Sequence, residues 1–269
     1  MTDRERRLQD IIKIVKRHDS VSVESLQEML KVSGSTVRSD LRILVKEGKI
    51  QREHGRVVRV SDFNTDDTNG LPSFEHRLQT HLAQKEAIAK IAESFIDNND
   101  SIILDASSTC FLLAKQLVNS GKTLTVVTNS VGSAQLLQKS PRLQVILIGG
   151  TLGVQNNTEG TLGAGVFNNL NIKKCFVSGF GVSIQQGITD FSLLEIDLKK
   201  KFIEVAQQSY ALIDSSKFDV VSVGTFCSLN DLNTIITDND LPNDMLQKYQ
   251  HKVDIITPSR RSLDSSSID

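Results

Sequence analysis

Val32-Ser33-Gly34-Ser35-Thr36-Val37-Arg38-Ser39-Asp40-Leu41-Arg42, followed by Lys49-Ile50-Gln51-Arg52-Glu53-His54-Gly55, decides how the first part of this chain is read. Val37, Leu41 and Leu44 stand at i, i+4 and i+7, an inward stripe for one helix. The other face carries Ser35, Thr36, Arg38, Ser39 and Arg42, with short hydroxyls at the N-terminus and arginines behind them. Ser33 is placed to cap that helix. Hydroxyls and free amides at a helix start hold phosphates, and arginines behind them reach base edges or backbone in a major groove. Gly48 is expected to end the helix. Lys49–Glu53 and Arg56–Val60 then alternate as two strands about His54-Gly55, decorated by Arg52, Arg56 and Arg59. Upstream, Leu8, Ile11, Ile12 and Val15 predict a helix over 4–17, and Leu26, Met29 and Leu30 a second over about 23–31. Two helices, a tight turn, a polar-faced helix and a basic hairpin, in that order, describe a winged helix-turn-helix. A solvated three-helix packing or dimerisation module would share the helices without requiring the hairpin behind them.

Charge follows the same division. Residues 1–60 contain 14 Lys/Arg against 9 Asp/Glu and the remainder 17 against 23, an asymmetry hidden in the chain total of −1. A basic first segment favours a polyanionic partner. Cys110, Cys175 and Cys227 lie far apart, each among apolar neighbours, and lack metal-ligand spacing, so no metal or disulfide framework is expected. The charged first residues contain no apolar signal region, and no apolar run approaches the ~20 residues of a membrane helix. A cytoplasmic protein without a membrane partner is expected.

Residues 61–72 are polar and rich in turn formers, and read as a linker between a domain at 1–60 and a second at 73–257. Leu78, Leu82, Ile88, Ile91, Ala92 and Phe95 predict one long helix from Phe74 through Ile96, and 258–269 reads as a Ser-rich flexible tail. From residue 101 an apolar strand, a small polar loop and an apolar-periodic helix recur. The predicted strands end at Leu104-Asp105, Val127-Thr128-Asn129, Ile148-Gly149-Gly150, Val177-Ser178-Gly179, Ile213-Asp214 and Ile236-Thr237-Asp238. Strands alternating with helices imply an open, mostly parallel α/β sheet, whose ligand crevice lies beyond the carboxyl ends of the strands.

Four loops there carry chemistry. Asp105, Ser107, Ser108 and Thr109 precede a helix and suit a phosphate; Thr128, Asn129 and Ser130 offer hydrogen bonds at the next strand end. Gly179 and Gly181 open a predicted flexible loop running through Gly187 to Asp190, ahead of Glu195 and Lys199, a spacing that also fits an ordinary surface pair. Asp214 and Lys217 bring a carboxylate and an ammonium to the same edge. Each loop alone is compatible with a capped turn; their convergence points to a small hydroxyl-rich phosphate.

Ser35 to Leu41, Gly48 and Arg52-Glu53-His54-Gly55 resemble the winged helix of the DeoR family of bacterial sugar-operon repressors. Asp105 to Thr109, Thr128-Asn129-Ser130, Gly149-Gly150, Gly187 to Lys199 and Asp214 to Lys217 resemble that family's effector domain. The resemblance runs from about residue 4 to 256. It implies a second domain similar to ribose-5-phosphate isomerase and glucosamine-6-phosphate deaminase, sensing a phosphorylated sugar. It also implies a homo-oligomer on double-stranded operator DNA, most often repressing, that the sugar phosphate releases; no cofactor is implied. The chain departs from the family pattern at Ser39, at Arg56-Val57, at Gly153 (where an arginine is frequent) and at Phe191-Ser192. The competing reading is a sugar-phosphate isomerase or deaminase carrying a DNA-binding arm, using crevice carboxylates as acid and base. No histidine lies between residues 82 and 250 to open a sugar ring.

Overall fold

The computed structural model describes residues 3–17, 20–46, 50–53, 56–59 and 72–258, and the chain divides into two compact units, 1–72 and 73–269. In the first, α1 (Asp3–Arg17), β1 (Ser20–Ser22), α2 (Val23–Leu30), α3 (Gly34–Lys46), β2 (Ile50–Glu53) and β3 (Arg56–Arg59) follow in order. Ile11, Val15, Leu26, Val37, Leu41 and Leu44 are buried together, so the apolar periodicity of three helices becomes one core. Ser22 caps α2 by accepting from the Ser25 amide at 3.0 Å. Lys31 ends α2 in the left-handed region (φ 53°), and the Val32 amide donates back to the Gln27 carbonyl, which turns the chain sharply into α3. Asp40, on the inner side of α3, is buried and accepts from Arg7 Nε of α1 at 2.5 Å.

The hairpin forms with Glu53 opposite Arg56, as the alternation predicts. β1, an additional strand that no alternation in the sequence marks, pairs antiparallel with β3 and makes a sheet of order β1-β3-β2 among the described residues. Three residues are too few to show an alternation. Gly48, Lys49, His54, Gly55, Val60, the linker at 61–71 and the tail at 259–269 lie outside the described residues, as do the side chains of Arg52, Arg56 and Arg59.

The second unit runs α4 (Phe74–Gln79), α5 (Leu82–Glu93), β4 (Ser101–Leu104), α6 (Ser108–Val118), β5 (Leu124–Thr128), α7 (Val131–Leu137), β6 (Leu143–Leu147), β7 (Thr151–Leu152), β8 (Thr158–Glu159) and β9 (Ile172–Val177). It continues with β10 (Gly181–Ser183), β11 (Gly187–Asp190), α8 (Leu193–Val205), β12 (Ala206–Leu212), β13 (Gly224–Cys227), β14 (Thr234–Ile236), α9 (Asn243–Gln250) and β15 (Asp254–Ile256). Among the described residues the main sheet has seven strands in the order β15-β14-β12-β9-β4-β5-β6, every pair parallel. Apolar side chains of α5, α6 and α7 pack on one face, and those of α8 and α9 on the other. β15 completes an edge that the six predicted strand ends do not include. After β4 the chain builds outward through β5 and β6, then returns to the opposite side of β4 with β9. The order therefore reverses at β4, which is where open α/β sheets place a ligand crevice.

Two expectations are corrected. The predicted long helix from Phe74 to Ile96 is two helices, broken at Thr80-His81 with His81 in the left-handed region (φ 52°). The Thr80 hydroxyl donates to the His76 carbonyl at 2.9 Å, and Lys85 Nζ donates to the carbonyls of Arg77 and Thr80, so side chains satisfy the end of α4. The segment predicted as a flexible loop between Gly179 and Asp190 is a hairpin of β10 and β11, extended by β13 into an antiparallel sheet. Val182 and Ile188 are fully buried in it. Gly187 makes its turn possible: it has φ +71°, and a Cβ there would lie 2.1 Å from the Cys227 carbonyl oxygen.

Candidate functional site

On the first unit, α3 presents Ser35, Arg38, Ser39 and Arg42 exposed, with Thr36 half-buried beside them. Ser33 Oγ accepts from the Thr36 amide at 3.3 Å and lies 2.9 Å from Ser35 Oγ and 2.8 Å from Thr36 Oγ1. The sequence-predicted cap and the hydroxyl cluster thus share one helix N-terminus, where oriented amides favour an anion. Because Val37, Asp40, Leu41 and Leu44 are committed to the interior, the arginines are left on the outer face.

On the second unit, the crevice is built around Asp105 at the end of β4. This carboxylate is fully buried, accepting from the Ser107 amide at 3.0 Å and, across the reversal point, from the Ser178 amide after β9 at 2.8 Å. Burial alone would raise its pKa; Lys199 and these amides outweigh that and hold it below the ordinary value. Ser107 caps α6 by accepting from the Cys110 amide. Ser108 and Thr109 form the first turn, both buried, and Thr109 Oγ1 has no hydrogen-bond partner.

Lys199 of α8 is not a surface residue. It is 4 % exposed, with Nζ 2.6 Å from Asp190, 3.3 Å from Asp105 and 3.7 Å from Glu195, and it donates to the Ser178 carbonyl. Burial opposes its charge, but three carboxylates more than compensate and raise its pKa. Burial raises Glu195, and Asp190 adds to that against the pull of Lys199. The i, i+4 pair is therefore part of an internal charge cluster joining β4, β11 and α8. Glu195 also accepts from Asn157 Nδ2 at 2.8 Å, which ties it to the turn between β7 and β8.

A second group of cations meets the same edge. Lys217 Nζ donates to the Gly179 carbonyl at 2.6 Å and lies 3.8 Å from Asp214. Lys85, on the buried face of α5, is 3 % exposed. Burial, then Lys217, then Arg77 depress its pKa to about 8, with Asp214 acting in the opposite sense. Lys217 is likewise lowered, by burial first and then by Arg77 and Lys199, against Asp214 and Asp190. Arg77 of α4 donates to Gln155 Oε1 at 2.8 Å and stands over the Phe74 ring, while its buried Nε makes no hydrogen bond.

The remaining predicted residues distribute unevenly. The Thr128 hydroxyl accepts from the Ser130 amide, and Ser130 caps α7, while Asn129 donates to the Thr158 carbonyl. Gly149 has open space where a Cβ would be. At Gly150, Gly179 and Gly181 a Cβ would come within 2.7, 2.4 and 2.3 Å of Glu159, Ile188 and Val220 atoms, so these glycines accommodate the chain's own packing. Arg77, Lys85, Gln155, Asn157 and Ser178 belong to the crevice without having been singled out. Lys85 was legible: it sits midway between Leu82 and Ile88 on an otherwise apolar stripe, a position where a surface lysine does not belong.

Residues 7–63 match the family model described as the DeoR-like helix-turn-helix domain, and residues 80–239 match the DeoR C terminal sensor domain. The chain belongs to the DeoR family. It is 34% identical to the HTH-type transcriptional regulator GolR of Listeria innocua, across 89% of this chain and 92% of that protein. It is 36% identical to the L-fucose operon activator of Escherichia coli, across 86% and 94%. Among solved structures, ribose 5-phosphate isomerase A from Neisseria gonorrhoeae aligns with 18% identity and a TM-score of 0.39, over 52% of this chain and 54% of that one. This DeoR-family chain is thus a DNA-binding transcriptional regulator with a sensor domain, and the enzyme alternative falls. Among the described residues no helix is long and apolar enough to cross a membrane, and Cys110, Cys175 and Cys227 are buried and free.

Proposed function

We propose that this regulator represses a sugar-metabolism operon and is released from its operator by a phosphorylated sugar bound in the crevice at the end of β4. The observation that carries the effector reading is the convergence of Arg77, Lys85 and Lys217. Burial first, and then repulsion from neighbouring cations, lower the pKa of both lysines even with Asp214 present, and a phosphate dianion would supply the counter-charge they lack. The first turn of α6, with capped amides and the unpartnered Thr109 hydroxyl, supports the same ligand.

On DNA, the exposed face of α3 enters a major groove. Ser35 and Thr36 meet phosphates, Arg38 and Arg42 reach base edges or backbone, and Arg52, His54 and Arg56 of the wing meet the flanking backbone. Two copies of the chain would present two such readers one helical turn apart, roughly 34 Å. Effector and operator affinities are then reciprocally coupled, typically by about 1–3 kcal/mol. Repression rests on the common habit of the family; activation is favoured by the relative named an operon activator, and the position of the operator relative to the promoter decides between them.

Fluorescence anisotropy of the full chain on its upstream DNA, titrated with a panel of sugar phosphates at fixed salt, tests this. Specific binding released by one sugar phosphate is the expected outcome. Specific binding that no member of the panel alters would refute the effector reading while leaving the DNA reader in place.

A further inference from the structure

The turn between β7 and β8 contains an acceptor site that neither the charge clusters nor the α6 N-terminus uses. Asn157 is 1 % exposed. Its amide orientation is fixed, because Nδ2 donates to Glu195 Oε1 at 2.8 Å and a flipped amide would set oxygen against oxygen. Asn157 Oδ1 is therefore an acceptor, and it is buried with no donor. A buried acceptor without a partner costs about 1–3 kcal/mol, so one that is held in place calls for a donor from outside the chain.

Gly153 bears on the same atom. A Cβ built there would lie 2.6 Å from Asn157 Oδ1 and 2.4 Å from Glu159 Oε1, so an amide oxygen and a carboxylate oxygen converge beside this glycine. Gly153 is not among the residues in the left-handed region, so what its missing side chain provides is clearance. Asn129 Oδ1, on the strand end bridged to this turn, repeats the pattern: buried, unmatched, and oriented by its own Nδ2 bond to the Thr158 carbonyl at 2.9 Å. The turn also receives Arg77, through Gln155, which brings this acceptor-only notch to the edge where the cations meet.

We propose that Asn157, with Asn129 and the clearance at Gly153, determines effector specificity by accepting from a hydrogen-bond donor on the sugar. The inference rests on the sugar-phosphate reading and narrows it. The ligand carries a phosphate for the cations and, on its carbon skeleton, a hydroxyl or ammonium for Asn157 Oδ1. A phosphate monoester lacking that donor is discriminated against, because it leaves the buried oxygens unmatched.

The test uses the full chain on operator DNA. Release is titrated with ribose 5-phosphate, glucose 6-phosphate, fructose 6-phosphate and glucosamine 6-phosphate, then with each monodeoxy analogue of the best ligand, and with inorganic phosphate. Wild type is expected to disfavour one monodeoxy analogue by roughly ten- to hundredfold. In Asn157→Ala that ratio should fall towards one, with inorganic phosphate binding unchanged. Gly153→Ala leaves the Asn157 side chain in place chemically but sets a Cβ against its Oδ1, which must give way, and should have the same signature. A variant that merely loosens the turn would weaken parent and analogue together and leave the ratio intact. Glucosamine 6-phosphate preferred over glucose 6-phosphate, with the preference lost in Asn157→Ala, assigns the donor as an ammonium; the reverse order assigns a hydroxyl. Wild type discriminating among analogues while both variants retain the full ratio overturns this proposal alone. Wild type indifferent to every sugar phosphate overturns the effector reading, and this proposal with it.

Discussion

Lys85→Met is expected to make the free protein more stable while making it deaf to its effector. Lys85 is 3 % exposed and its pKa falls from 10.5 to about 8, so burying its charge at pH 7 costs about 3 kcal/mol at ~1.4 kcal/mol per unit. Methionine matches the stem and carries no charge. It loses the donors that meet the carbonyls of Arg77 and Thr80, worth about 1 kcal/mol each. The balance is a gain of about 1 kcal/mol, or ~2–4 °C in a domain of this size. The sign with pH follows from a lowered base. The folding penalty is complete below about pH 8 and fades as pH rises towards 10.5, so wild type should gain more stability over that interval than the variant, in which Lys217 alone of the two lysines still contributes. Binding of the proposed phosphorylated effector is expected to run the other way, because a phosphate dianion is held by the protonated amine. Affinity should fall as pH rises above about 8 in wild type; in the variant it should be at least tenfold weaker and depend less steeply on pH, because Lys217, also lowered, still titrates. Differential scanning calorimetry from pH 7 to 10, paired with operator-release titrations, reads both. A destabilised variant that still responds to effector would refute the idea of a strained cation held for an anion.

Four further outcomes are expected. Arg38→Ala should weaken operator binding by about 1–3 kcal/mol in anisotropy titrations while the sensor still binds its ligand. Asp40→Ala removes the buried partner of Arg7 and should cost the first unit about 1–2 kcal/mol, read as lost hydrogen-exchange protection in α1 to α3 but not in the sheet of the second unit. Lys199→Met strands three buried carboxylates and should cost about 3–5 kcal/mol in urea unfolding, far more than breaking an exposed i, i+4 pair. Gly187→Ala, with Cβ set against the Cys227 carbonyl, should cost at least about 2 kcal/mol by the same measurement.

The helices and strands that bury a full apolar stripe were legible in the sequence. Ile11 and Val15, Val37 and Leu41, and the runs ending at Leu104, Val127 and Val177 state their environment through period alone. The break at Thr80-His81 was not, because nothing in the apolar spacing of 74–96 changes there; the lysine bonded to the carbonyls of Arg77 and Thr80 marks it, and that contact exists only after folding. β1 was too short to carry an alternation. The hairpin of β10 and β11 was hidden because glycines that serve close packing look like glycines that serve flexibility. At the crevice, the strand-end loops were readable because Asp, Ser, Thr and Asn concentrate there. Arg77 and Asn157 come from a short helix and a turn with no periodic signal, and only the tertiary fold brings them in.

The reversal of strand order at β4 also sets a schedule. Asp105 is made early, yet its partners Ser178 and Lys199 and the cation Lys217 belong to segments synthesised after β6. At a ribosome's pace the interval between Asp105 and Lys217 is on the order of ten seconds. Throughout it, the helices of the first unit have already been translated, whereas the crevice has only one wall. A message broken within that interval would encode the reader without Lys217, a cation of the proposed effector crevice.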